Sequence, residues 1–453
     1  MKVAKFGGTS MASAAQFQKV YDIIMADAER KIIVVSAPGK RYKDDTKVTD
    51  LLIAVAEQFL ATGQANAELE RVIARYQEIS DELDLNASVM ERISSDLKAL
   101  LDMDTSNPDR FMDAIKAAGE DNSAKIFAAF LQSRGIEAQY VNPKDAGLLV
   151  SDEPGNAQVL PEAYDRLHDS LRSRSGITVF PGFFGFSPQG VLVTFSRGGS
   201  DITGSILAAA VKASLYENFT DVDSVFAVNP NLVKNPKEIK EITYREMREL
   251  SYAGFSVFHE DALLPAYMAR VPVCIKNTNN PSAPGTMITA DRHTVAETVV
   301  GIASDGGFCS IYMSKYLMNR EIGFGRRVLQ ILEEEDLSYE HTPSGIDNIS
   351  VILRDRNFDA EKEQRITNRI KHELKVDDFA IERDLALVMI VGEGMRRSVG
   401  VSARATAALA RADVNIEMIN QGSSEVSMMF GVKAYDSDRA VVALYEEFFG
   451  TDN

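Results

Sequence analysis

The residues able to do chemistry fall into two glycine turns and a few isolated charges. The chain opens Val3-Ala4-Lys5-Phe6-Gly7-Gly8-Thr9-Ser10, an apolar run that delivers one lysine, then two glycines, then two hydroxyls. Farther along, Ser196-Arg197-Gly198-Gly199-Ser200-Asp201 follows another apolar run. Glycines let backbone N–H groups approach a ligand closely. A helix start adds partial positive charge and free donors. Each turn therefore suits a phosphate, and the two together suit a polyphosphate. Lys5 adds a full charge but precedes its glycines, so this is not the G-x-x-x-x-G-K-[ST] loop. Ser36 closes a second apolar run, Arg197 can fork onto a carboxylate, and Glu120 can hold an ammonium. Both charges together suit an amino-acid zwitterion.

No nucleophile–histidine pair accompanies this set, so covalent catalysis has little support. Phosphoryl transfer asks instead for positioning and charge neutralisation. A carboxylate acceptor, with a pKa of about 4, is ionised at neutral pH and needs no general base. The obstacle is its repulsion from ATP, which Lys5, Mg2+ and the helix starts would relieve.

The elements that must position these groups alternate. Helical spacing begins near Ala12 (Phe17, Val20, Tyr21, Ile24). Lys31 to Ser36 reads as a buried strand, Ala37-Pro38-Gly39 breaks it, and Lys40 to Lys47 is a charged loop. Thr49-Asp50 then caps a helix to about Leu60. Strand–helix alternation implies a parallel α/β sheet. Gln64 to Met103 reads as an acidic helical excursion, and another helix runs from Asp109 to Arg134. Strands resume near 138–141, 178–180 and 191–195, a helix follows the second glycine turn to Val211, and a strand ends at Phe219. Thr220-Asp221-Val222-Asp223 sits at that strand's carboxyl end, where open α/β sheets bind ligands. The first domain closes near Ala283-Pro284-Gly285.

The remainder contains a repeat. At an offset of 77 residues, Gly323 matches Gly400, Leu332 matches Leu409, Asp336 matches Asp413, Glu340 matches Glu417 and Ser350 matches Ser427. Each copy reads as glycine turn, amphipathic helix, strand, turn, strand, helix: duplicated α+β modules.

Bulk properties bound the rest. With 453 residues, 45% apolar and 25% charged, the chain can build several cores without staples. A net charge of −17 argues against a nucleic-acid surface. No apolar run approaches a membrane span and the start lacks a signal-peptide core. Two cysteines, Cys274 and Cys309, fit a reducing cytoplasm, and the five histidines show no metal spacing.

The stretches KFGGTS at the start, Gly119-Glu120, GFFG at 182–185, SRGGSD at 196–201 and TDVD at 220–223 resemble aspartate kinases, and the resemblance covers essentially the whole chain. It implies the amino-acid kinase fold, an α/β/α three-layer sandwich (1–295), followed by a regulatory region (296–453) of two ferredoxin-like α+β ACT modules, about 310–380 and 386–450, possibly interleaved. It also implies ATP- and Mg2+-dependent phosphorylation of the side-chain carboxylate of L-aspartate, toward lysine, threonine and methionine.

By the same resemblance, Lys5 and Asp201 are catalytic. Lys5, Gly7, Gly8, Gly198, Gly199, Thr220, Asp221 and Phe226 contact ATP, and no residue is a dedicated metal ligand. Ser36, Thr49 (with Thr46 as competitor), Glu120, Phe183, Arg197 and Ser200 contact aspartate. Two positions depart: Asn231 stands where the family has an arginine near the ATP phosphates, and Ser256 where it has a lysine. Lys234, Lys237 or Lys276 are candidates to compensate. Ordinary readings stand beside these: Phe183 as core, Arg197 as a structural partner of Asp201, His259 as a structural histidine.

In the first module, Gly323-Phe324-Gly325 precedes a helix whose free donors suit an effector carboxylate. Glu340 would take the effector's amino group and Met318 would line the site. The resemblance implies an end-product effector, lysine ahead of threonine, bound between subunits of a homodimer or homotetramer. Two other readings are a weakened amino-acid sensor of the same fold and a kinase for another carboxylate, such as N-acetylglutamate.

Overall fold

The computed structural model describes residues 1–196, 198–255, 260–292, 297–422 and 426–450. They form two compact units: 1–225 with 238–247 and 256–292, and 226–237 with 248–255 and 293–453.

A run such as Ile32-Ile33-Val34-Val35 has no polar alternation, which is what a strand covered on both faces requires; all four residues are buried. The first unit contains β1 (Lys2–Phe6), β2 (Arg30–Val35), β3 (Ala138–Tyr140), β4 (Ile177–Pro181), a hairpin of β5 (Phe184–Phe186) and β6 (Leu192–Thr194), and β7 (Leu215–Thr220). Three later strands, Glu241–Thr243, Val273–Asn277 and Thr286–Thr289, complete an eight-stranded sheet. Its order is 241–243, 286–289, 273–277, β7, β1, β2, β4, β3. All pairs are parallel except 273–277 with 286–289.

One face of the sheet is covered by α1 (Ala14–Met25), α2 (Val48–Thr62), α3 (Asn66–Glu82), α4 (Ala87–Ala99) and α5 (Pro108–Ser133). Ala4, Phe6, Ile33, Val35, Val179 and Phe219 pack there against Phe17, Leu52, Tyr76, Phe111 and Phe127. After the short α6 (Pro143–Ala146), α7 (Pro161–Arg172) and α8 (Gly199–Ala210) lie on the other face, with α8 against β1, β2 and β7. The parallel sheet is what the alternation predicts, and the three-layer sandwich is what the resemblance implies.

Three local expectations change. The first glycine turn does not open α1. Gly8–Met11 forms one 3-10 turn, and α1 begins at Ala14, where Ser13 Oγ accepts the Gln16 N–H. The turn is held by long-range bonds: Gly7 N–H to Phe219 O at 3.1 Å and Gly39 N–H to Gly8 O at 2.7 Å. Thr49 and Asp50 lie in the first turn of α2 rather than capping it. Lys47 is the extended capping residue, and the Val48 N–H bonds Pro38 O at 3.0 Å. Third, Ala283-Pro284-Gly285 leads into strand 286–289 of the same sheet rather than out of it.

The second unit holds a five-stranded antiparallel sheet in the order 348–354, 301–314, 378–391, 427–433, 418–420. The repeat is visible in the backbone. Gly301–Ser314 and Asp378–Val391 are equivalent strands. Gly323 and Gly400 both precede a helix at positive φ (77° and 90°), and Asp336 and Asp413 both adopt φ near 53° (52° and 54°). Each copy has its own core: Ile311, Val328, Leu332 and Val351 in one, Val388, Ala405, Leu409 and Phe430 in the other. No helix among the described residues is long and apolar enough to cross a membrane.

Candidate active site

Because β1, β2, β4 and β7 run parallel, their carboxyl ends share one edge of the sheet. Lys5 and Phe6, Ser36, Gly182 and Thr220 all fall there. This is where a doubly covered parallel sheet offers a crevice.

Lys5 is 7% exposed, and its Nζ lies 2.6 Å from Asp201 Oδ1. Asp201 is in the first turn of α8, which starts from Gly198 at φ 82°. Asn218 stands opposite Lys5 in register on β7, and its Nδ2 donates to the same Asp201 Oδ1 at 2.6 Å. Lys5 is thus a cation on Asp201; Arg197 lies outside the described residues.

Glu120 is 6% exposed on α5. Burial pushes its carboxyl up to about 7, opposed by the Ala37 and Glu120 N–H groups, the Lys5 charge and the Ser200 hydroxyl. Its Oε2 has no hydrogen-bond partner. A buried carboxylate oxygen without a donor costs free energy, and a ligand ammonium would satisfy it. The preceding Gly119 lets α5 come this close: a Cβ there would lie 2.8 Å from Ala37 Cβ.

The other expected residues divide. Ser200 lies against Gly182, where an added Cβ would approach its Oγ to 2.6 Å. Phe183 is partly buried at φ 79°, with its N–H on Thr203 Oγ1 at 3.0 Å and Lys116 Nζ 5.8 Å from its ring centroid. A bulky residue held in the left-handed region marks a site that the surroundings over-determine, which separates Phe183 from ordinary core. The Ser36 N–H bonds Phe6 O at 3.1 Å, setting the turn after β2 against β1. Thr220 O accepts the Thr278 N–H at 2.9 Å, and Thr220 Oγ1 donates to Asp221 Oδ1 at 3.2 Å. Phe226, Asn231, Lys234 and Lys237 belong to the second unit, where Lys237 pairs with Glu297 at 2.5 Å. Lys276 is on strand 273–277 of the first. Ser256 and His259 lie outside the described residues.

In the second unit, Gly323 precedes helix Phe324–Glu333, which no side chain caps. Met318 and Phe324 are core residues, 8% and 3% exposed. Glu340 already has partners: Arg354 Nε at 3.2 Å on Oε1 and the Tyr252 hydroxyl on Oε2.

Residues 1–277 match the model of the amino acid kinase family, and residues 388–448 match an ACT domain model. Aspartokinase 3 of Bacillus subtilis is 63% identical over 99% of this chain and 99% of its own. The chain belongs to the amino acid kinase family, and within it to the aspartate kinases. Among solved aspartate kinases, that of Clostridium acetobutylicum superposes with a TM-score of 0.85 at 38% identity, covering 99% of this chain and 100% of the other. Escherichia coli aspartokinase III, 25% identical over 99% of this chain, superposes at 0.78 in its complex with aspartate and ADP and at 0.75 in its complex with lysine and aspartate, covering 100% and 99% of those chains.

Sequence reasoning missed three partners of this aspartate kinase site. Asn218 is the one amide of β7, beside the buried Glu217. Ser10 Oγ lies 2.6 Å from Thr278 Oγ1 and joins segments 268 residues apart. Arg75 is buried in α3, and its Nη2 donates to Ala12 O at 2.8 Å, Gly39 O at 3.2 Å and Asp45 Oδ2 at 3.3 Å, tying the two turns beside Gly8. The available signal for Asn218 was its place two residues before Thr220-Asp221 at the end of a strand; the other two had none.

Proposed function

We propose that this chain transfers the γ-phosphoryl group of ATP to the side-chain carboxylate of L-aspartate. An aspartate oxygen forms the new O–P bond, the bond between the γ-phosphorus and its bridging oxygen breaks, and ADP leaves with that oxygen. The observation that carries this reading is Glu120, a buried carboxylate with an unpartnered oxygen beside Ser200 and the Lys5–Asp201 pair. It suits the ammonium of an unmodified amino acid, whereas an acetylated amine has no charge to offer it.

In this reading Glu120, Ser36, Thr49, Phe183, Arg197 and Ser200 hold aspartate. Lys5 and the turns at Gly7-Gly8 and Gly198-Gly199 neutralise and seat the phosphates, with Thr220 and Asp221 toward the nucleotide. Asp201 holds Lys5 until ATP arrives. Among the described residues no three carboxylate, imidazole or thiol groups gather as a metal site. By the resemblance to aspartate kinases, Mg2+ enters this scheme with ATP, and none of these steps passes through it.

The working division is a kinase domain over 1–295 and a regulatory domain over 296–453 with two ACT modules, in a cytoplasmic homo-oligomer serving lysine, threonine and methionine synthesis. Lysine is the favoured effector. The lysine-bound relative and the ACT match support this. An effector ammonium at Glu340 would compete with Arg354 and Tyr252 for the same carboxylate.

The test is direct. Protein, MgATP, L-aspartate and hydroxylamine should give aspartyl hydroxamate, suppressed by lysine. Amino-acid binding without product would instead favour the sensor, with Asn231 and Ser256 as the lost cations.

A further inference from the structure

We propose that Asn218 is a positioning residue of the phosphoryl-transfer centre: its amide holds Asp201 Oδ1 so that Lys5 can leave that carboxylate for the incoming phosphate. This rests on the reading that Lys5 neutralises the transferred group.

Lys5 is paired with Asp201 at 2.6 Å, with the two side chains 9% and 15% exposed. Moving Lys5 onto a phosphate would strip a largely buried carboxylate of its cation, and uncompensated buried charge is costly. Asn218 removes much of that penalty. It is 3% exposed, it is Lys5's neighbour across β1 and β7, and its Nδ2 is already on the same oxygen at 2.6 Å. An amide does this without holding Lys5 back, because it brings no charge of its own.

The same strand fixes the backbone of residue 201. The Tyr216 hydroxyl donates to Asp201 O at 3.1 Å, and Asn218 Nδ2 lies 3.5 Å from that hydroxyl oxygen. Gly204 makes room for it, since a Cβ there would lie 2.5 Å from Tyr216 Oη. Carbonyl and carboxylate of Asp201 are thus both held from β7, while Lys5 approaches from β1.

The experiment compares the full-length chain with Asn218→Leu, Asn218→Asp and Lys5→Met in the hydroxamate assay, with melting curves for each. Asn218→Leu should lower kcat about tenfold and raise KM for ATP several-fold while KM for aspartate stays within about twofold. Asn218→Asp is nearly isosteric but gives Lys5 two carboxylates to leave. Two adjacent carboxylates share a proton as pH falls, so its rate relative to the unsubstituted chain should recover from pH 8 toward pH 6, a trend that a packing defect would not produce. If Lys5→Met is inactive while both Asn218 variants match the unsubstituted chain at every pH, the Asn218 assignment fails alone. If Lys5→Met keeps its activity, the underlying reading fails and this one with it.

Discussion

Glu120 couples ligand chemistry to pH. Burial favours its neutral form and pushes its carboxyl up from the ordinary 4.5 to about 7. Because the folded value is raised, its contribution to stability is complete below the ordinary carboxylate range and is lost as pH rises through about 7. The span corresponds to on the order of 3 kcal/mol at most. An aspartate ammonium needs the ionised form. The kcat/KM for aspartate reports the free enzyme, so it should rise about tenfold from pH 6 to pH 8, and Glu120→Gln should be low and flat across that range. A flat profile in the unsubstituted chain would remove Glu120 from ammonium binding. Lys5 was legible as the charge in an apolar run, Asp201 as the end of the glycine turn SRGGSD and Glu120 from the Gly119-Glu120 stretch. Arg75 was not, because its partners Ala12, Gly39 and Asp45 are assembled only by the fold.

Whole elements carry the site, and they were legible in proportion to their length. β2 and α5 announce themselves by an unbroken apolar run and by 26 residues of helical spacing. Glu241–Thr243 and Phe184–Phe186 have three residues each, too few for any period to show. α1 starts later than the helical spacing suggests because hydrogen bonds to Phe219 O and from the Gly39 N–H, distant in sequence, hold the glycine turn out of the helix. Close approach of α5 to the turn after β2 is the element-level requirement of the site. In Gly119→Ala the new methyl would meet Ala37 Cβ at 2.8 Å and Leu52 Cδ1 at 3.2 Å. Overpacking of this kind costs about 1–3 kcal/mol. The helix can relieve it only by moving Glu120 away from Ala37 and Ser200. Thermal unfolding should shift down, and KM for aspartate should rise more than KM for ATP. An equal rise in both would mean that α5 does not position the amino-acid subsite.

At the scale of the whole molecule the question is how a duplicated regulatory unit can govern chemistry at Lys5. The offset of 77 residues predicts two equivalent modules, and the matched backbone at Gly323 and Gly400 and at Asp336 and Asp413 bears this out. The copies are not chemically equivalent, however. Glu340 is engaged by Arg354 and Tyr252, whereas its counterpart Glu417 accepts from Asn415 Nδ2 at 2.8 Å. The proposed effector site, at Glu340 in the first copy, is thus one where the effector must displace existing partners. Linkage makes this quantitative without a structural pathway: whatever factor lysine imposes on aspartate affinity, aspartate must impose on lysine affinity. Coupling of about 1–3 kcal/mol corresponds to roughly 5- to 150-fold. Calorimetric titration of lysine with and without saturating aspartate and ADP should return the same factor as titration of aspartate with and without lysine. In Glu340→Gln lysine should bind more weakly. In Arg354→Gln, which frees the carboxylate from a competing cation, lysine should bind more tightly. Opposite signs for the two variants are what competition at Glu340 requires, and weakening in both would place the effector elsewhere.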